Sequence, residues 1–100
     1  MHTHIAELTP RNGQRSFYGK AIVIHVDGVQ YLRSYKTVVA SVSDGGTLHR
    51  HWAEWTATTG RHIASFAEEF TGKEVRKAQF VRLPLEDIPD NIKRMLKLMP

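Results

Sequence analysis

Histidines and threonines are the side chains of this 100-residue chain whose types and spacing come nearest to chemistry. Thr58, Thr59 and His62 fall within one helical turn, where an imidazole three or four residues on can reach a hydroxyl and act as its base. Activation also needs a third group to orient the imidazole, and capping of a helix start accounts for both threonines without catalysis. His49 and His51 lie on one face of a strand, and His25 on a nearby strand is a conceivable third metal ligand. Zinc takes three or four ligands, and no H-E-x-x-H helix or cysteine pair accompanies these three. His2 and His4 sit two apart on an N-terminal arm that makes a poor cage. Gly45-Gly46 belongs to a hairpin turn and not to a phosphate-binding loop. Glu68 and Glu69 diverge on a helix, while Asp27 and Asp44 belong to turns. The expectation is a protein with no catalytic residue, no metal and no cofactor, and so not an enzyme.

Binding is the better-supported chemistry. Tyr31, Arg33 and Tyr35 alternate on one strand face, with Lys36, Arg50 and Trp52 on neighbouring strands. Such a surface can stack bases, each worth about 1–3 kcal/mol, while the cations track phosphates. The same aromatics also suit a half-buried strand. The formal net charge is +4. It is carried by the two ends: residues 1–20 have three basic and one acidic side chain, and residues 71–100 seven and four. Lys73, Arg76 and Lys77 extend the basic surface.

The elements that must position these groups follow from periodicity. Lys20 to Val26 alternates Ile22, Ile24 and Val26 against Ala21 and Val23, a strand covered on both faces. Asp27-Gly28 is a two-residue hairpin signal, since a type I′ turn needs positive φ at both central positions. Val29–Tyr35 returns antiparallel, Thr37–Val42 follows, and the corner at 34–36, lacking Gly and Pro, reads as a bulge or bend. Ser43-Asp44-Gly45-Gly46 turns the chain into a fourth strand, Thr47 to about Trp55. Ile63, Phe66, Ala67 and Phe70 then recur at i, i+3, i+4 and i+7, one stripe of an amphipathic helix over about Thr59–Phe70. Thr58 or Thr59 caps it and Gly72 stops it.

One domain is expected over residues 1–100: an irregular arm (1–19), the sheet and helix (20–70) and a basic C-terminal extension (71–100). The fold class is α+β, a four-stranded, mostly antiparallel meander with one helix packed on a face and a helical extension. In that extension Asp90 is an available cap, and Ile92, Met95, Leu96 and Met99 form a second stripe. The stripe docks on the sheet or offers a face to a partner or a second copy, a homodimer. The chain has no cysteine, which excludes disulfides and thiol chemistry within it. No run approaches the ~20 apolar residues of a membrane span, so no membrane partner is expected and a cytoplasmic location in a bacterial host is.

Two strings carry a resemblance. Tyr31-Leu32-Arg33-Ser34-Tyr35-Lys36-Thr37-Val38-Val39-Ala40-Ser41-Val42 is followed, after Trp55, by Thr56-Ala57-Thr58-Thr59-Gly60-Arg61-His62-Ile63 and Phe66. The pattern, S-Y-x-T-x-V-A and then [ST]-x-T-T-x-x-H-I-x-x-F, resembles a small domain family of unassigned function found among phage and prophage proteins. The likeness spans about residues 18–85, through Leu83-Pro84-Leu85. The histidine-rich fourth strand and the apolar tail helix depart from it. The resemblance implies a sheet-plus-helix fold and a phage origin, and no activity comes with it. The function expected on this basis is that of a non-catalytic phage or prophage accessory protein. It would bind and inhibit a host macromolecule, its partner a host or phage protein complex, in one form as an anti-CRISPR-like counter-defence. A nucleic-acid-binding module on the aromatic and basic face is the alternative, and a homo-oligomeric interaction protein a third.

Overall fold

The computed structural model describes residues 3–10, 17 and 19–97. His2 and Met99, named above, lie outside the described residues. Five strands form one antiparallel sheet in meander order: β1 (Thr3–Glu7), β2 (Ala21–Val26), β3 (Val29–Ser34), β4 (Thr37–Ser43) and β5 (Thr47–Arg50). Helix α1 (Ala57–Thr71), the short α2 (Lys77–Phe80) and α3 (Asp90–Lys97) follow. The sheet has five strands where four are expected, because Thr3–Glu7, read above as irregular arm, pairs with β2 from Thr3↔Val26 to Glu7↔Ile22. All five β1 residues are exposed, so no burial period marks them as a strand.

The β2–β3 hairpin turns at Asp27 (φ 48°) and Gly28 (φ 85°), both in the left-handed region that a type I′ turn requires. The φ of Gly28 is one that side-chain-bearing residues rarely adopt, which reserves the position for glycine. The corner expected as a bulge or bend is a two-residue turn, Tyr35–Lys36, with Tyr35 itself at φ 58°. A bulge does occur, but further on: Leu32 pairs with Ala40 and Arg33 with Val38, leaving Val39 as the extra residue. β5 ends at Arg50 and not near Trp55. There the Arg50 guanidinium draws in the Trp52 and Ala53 carbonyls at 2.9 and 2.7 Å, curling the chain off the sheet.

Helix α1 starts earlier than expected, and Thr56 caps it: its hydroxyl accepts the Thr59 N–H at 3.1 Å. Thr59 is turned inward instead. Gly72, at φ 74°, ends the helix by donating to the Glu68 carbonyl. The Ile63, Phe66, Ala67 and Phe70 stripe lies against the sheet, with Ile63 and Phe66 fully buried among Val23, Leu32, Val39, Ala40 and Val42. Burying each such side chain contributes roughly 1.5–3 kcal/mol.

The other sheet face is covered by α3. Ile92 and Leu96 pack on Ile24, Val26 and Tyr31, with Ile88 and Met95 at the margin. The molecule therefore has three layers, α1 over the sheet and α3 beneath it, which is why the central strands β2 to β4 are apolar on both faces. No helix among the described residues is long and apolar enough to cross a membrane.

Candidate functional site

Three serine–histidine pairs organise the polar side chains, and one of them supports an open groove. At the end of β3, Ser34 Oγ is hydrogen-bonded to His62 Nδ1 at 2.8 Å and to Thr59 Oγ1 at 3.0 Å. The trio is sealed between α1 and the sheet, each residue 6% exposed or less. The Phe17 ring lies edge-on to His62 at 4.6 Å, and the Tyr35 ring approaches it at 5.9 Å. Burial, followed by the nearby Arg61 and Lys20 charges, pushes the His62 pKa down and favours the neutral ring. His62 and Thr59 are bonded not to each other but each to Ser34, and Thr58 is exposed. Hydroxyls this deeply covered hold α1 on β3.

The same joint fixes the Tyr35 turn from below. The Tyr35 N–H donates to the Lys20 carbonyl at 2.7 Å, and Lys20 Nζ sits 5.7 Å from the Tyr35 ring centre. Tyr35 remains 48% exposed. Tyr35 borders an open groove of about 670 Å³ between the β3–β4 turn and α3. Arg33 and Lys36 flank it on the sheet side, Lys93 and Lys97 on the helix side, with Val38, Ile88 and Leu96 between. Lys93 and Lys97 are one helical turn apart and share a face. Lys93 lies 3.8 Å from Asp87, a fully solvated carboxylate that neutralises little of the groove's charge. Arg33 Nε is buried with no hydrogen-bond partner among the described residues. A buried donor left unpaired costs about 1–3 kcal/mol.

The other two pairs lie on the α3 face at the β5 end. His49 Nε2 is bonded to Ser43 Oγ and its Nδ1 to the Glu86 carboxylate, both at 2.8 Å. His51 Nε2 is bonded to Ser41 Oγ and its Nδ1 to the Glu86 carbonyl, again at 2.8 Å. Burial lowers the His51 pKa, so this ring too is neutral and its Nδ1–H donates to the carbonyl. Hydroxyl, imidazole and carboxylate stand at Ser43, His49 and Glu86 in the order of a proton relay. In place they clamp residues 84–88 to the sheet. His25 is on the opposite face, bonded to Gln30 at 2.8 Å, so His25, His49 and His51 do not converge. Among the described residues no group of three or more His, Asp or Glu side chains could hold a metal ion.

The remaining candidates are dispersed. Tyr31 is 5% exposed, under α3, and does not share a surface with Tyr35. Arg50 gives its guanidinium to four carbonyls, those of Trp52, Ala53, Val81 and Leu83, and lies over the Phe80 ring at 5.8 Å. Trp52 is half-buried on the α1 side. Lys73, Arg76 and Lys77 are exposed at the other pole, Arg76 and Lys77 beside a cleft of about 270 Å³ with Trp55 and Arg61. Ile92 and Leu96 are buried against the sheet and Met95 half-buried, while Met99 lies outside the described residues. Lys20, Lys93 and Lys97 are groove or turn residues absent from the expected set. Only the i, i+4 spacing of the last two hinted that they act together.

Fold and groove define a small three-layer α+β domain built on an antiparallel meander. The chain belongs to a family of unknown function, DUF8033, whose model matches residues 6–82. That match takes in the Tyr35 turn and α1 but stops before α3, so the groove joins a family segment to a C-terminal extension. No curated protein and no solved structure matches the chain.

Proposed function

We propose that this protein is a non-catalytic binding module that takes a single-stranded nucleic acid along the groove between the Tyr35 turn and α3. The observation that carries this reading is the groove itself: Arg33, Lys36, Lys93 and Lys97 around an exposed tyrosine on an apolar floor. Phosphates suit the four cations and a base suits the exposed part of Tyr35. Readout through stacking is tolerant of sequence, because every base has a π-face.

Fluorescence anisotropy with labelled single- and double-stranded DNA and RNA tests it. If all four cations contact phosphates, log affinity falls with log salt at a slope of about −3, or about 50-fold between roughly 50 and 200 mM. Tyr35→Ala should weaken binding by about 1–3 kcal/mol. No binding at low salt would overturn the proposal.

The apolar floor of Val38, Ile88 and Leu96 favours one second reading, in which an acidic protein surface occupies the groove. A phage or prophage accessory protein that inhibits a host complex, including a counter-defence protein, would act this way. Its binding would depend on salt weakly and on Leu96 strongly, and pull-down from bacterial lysate with wild type against Lys36→Glu would show a partner lost.

A further inference from the structure

The two edges of the sheet are finished differently. β5 is covered by its own chain: Leu85 bridges Arg50 in parallel, and the Glu86 N–H donates to the Arg50 carbonyl at 2.8 Å. β1 is the opposite edge, and all five of its residues, Thr3 to Glu7, are exposed. Natural sheets blunt an open edge with lysine, proline, a bulge or a covering segment. Thr3-His4-Ile5-Ala6-Glu7 has no lysine or proline, and its register with β2 runs without a shift. Ile5, at its centre, is 49% exposed.

We infer that β1 is a dimer interface, pairing antiparallel with β1 of a second copy about a two-fold axis at Ile5. The backbone geometry selects that axis. The Leu8 N–H donates to the Ala21 carbonyl at 2.9 Å, continuing the β1–β2 register. Alternation along an antiparallel ladder then turns the N–H and C=O groups of His4 and Ala6 toward β2 and those of Thr3, Ile5 and Glu7 outward. An axis at Ile5 engages all three outward residues, Ile5 with its own copy and Thr3 with Glu7. An axis at any other β1 residue leaves at least one of them unpaired. The pairing is self-complementary: Glu7 meets the hydroxyl of Thr3, His4 meets Ala6, and no like charges oppose. Ile5 pairs across β2 with Ile24 of the α3-side core, so the Ile5–Ile5 contact extends that core across the axis. The product is a continuous ten-stranded sheet with both α3 helices on one face. The apolar stripe of α3, the alternative dimer surface, is already buried on its own sheet.

Sedimentation over a concentration series tests this. Wild type should reach twice the monomer mass. Ile5→Lys, which sets two charges opposite each other on the axis, should raise the dissociation constant at least about tenfold while circular dichroism stays unchanged and melting matches that of wild type diluted to monomer. Ile5→Cys gives an independent readout in a chain without cysteine. Side chains of a hydrogen-bonded pair stand too far apart at Cβ for an unstrained disulfide, so a short bis-maleimide reagent, which spans two thiols, is used and should give a covalent dimer. Glu54→Cys, exposed elsewhere, should not do so. Monomeric wild type at the highest concentration, or a dimer that Ile5→Lys leaves intact and Ile5→Cys does not cross-link, would overturn the inference.

Discussion

Ser34 and His62 are 28 residues apart, yet the Ser34 hydroxyl and His62 Nδ1 meet at 2.8 Å in the interior. Their bond, with Thr59 completing it, joins the end of β3 to α1 and lies under the Tyr35 turn. Ser34→Ala leaves a buried imidazole nitrogen without its partner, which costs about 1–3 kcal/mol. For a domain of this size each kcal/mol lowers Tm by about 4–8 °C, so a thermal melt reads the effect directly. If Tyr35 depends on this support, Ser34→Ala also weakens groove binding without touching the groove.

The neutral state of His62 makes the fold acid-labile. Burial, with Arg61 and Lys20, holds its folded pKa below the ordinary 6.5, while the unfolded chain binds a proton near that value. Above about pH 6.5 both states are neutral and stability is full. As pH falls below it, the unfolded state takes up the proton first and stability declines until the folded pKa is reached. His51 is shifted in the same direction and adds to the decline. Urea melts across this range should show falling stability, and His62→Asn should flatten part of the slope.

Gly60 is required by Trp55. A Cβ at Gly60 would stand 2.4 Å from the indole Nε1 and 2.5 Å from Cε2, closer than real contacts allow. Alanine in a helix gains about 1 kcal/mol over glycine, but displacing a half-buried indole outweighs this. Gly60→Ala should be destabilising by about 1–2 kcal/mol net and should shift the tryptophan emission.

Arg50 is a structural fastener. Four carbonyls from two segments converge on it, and Lys has neither the planar fork nor enough donors in those directions. Arg50→Lys should cost about 1.5–3 kcal/mol in chemical denaturation. Nucleic-acid affinity should be unchanged under conditions where the variant is folded.

Leu96 separates a docked helix from a helix held out for a partner. At 8% exposure against Ile24, Val26 and Tyr31, Leu96→Ala should lose about 2–4 kcal/mol. Removal of residues 90–100 should expose those side chains and raise dye binding to apolar surface.

Local features of this chain are legible in its residues because their causes are local. The Asp27-Gly28 turn, the 3.6-residue stripe from Ile63 to Phe70 and the Gly72 stop each follow from the conformational needs of a few neighbouring positions. The two-sided apolar pattern of β2 likewise announces cover on both faces. β1 is different: its five residues are all exposed, so only pairing with Ala21–Val26, across an intervening segment, makes them a strand. Tyr31 and Tyr35 alternate in sequence, but the left-handed turn at Tyr35 and the docking of α3 bury one and leave the other half-exposed. The groove depends on the same kind of long-range event, since Arg33 and Lys36 meet Lys93 and Lys97 only when α3 folds back beneath the sheet. Composition and periodicity set which side chains are apolar, charged or turn-forming. Which of them end up facing one another was decided by the packing of two helices on opposite faces of one sheet, because a contact between distant residues leaves no period in the chain.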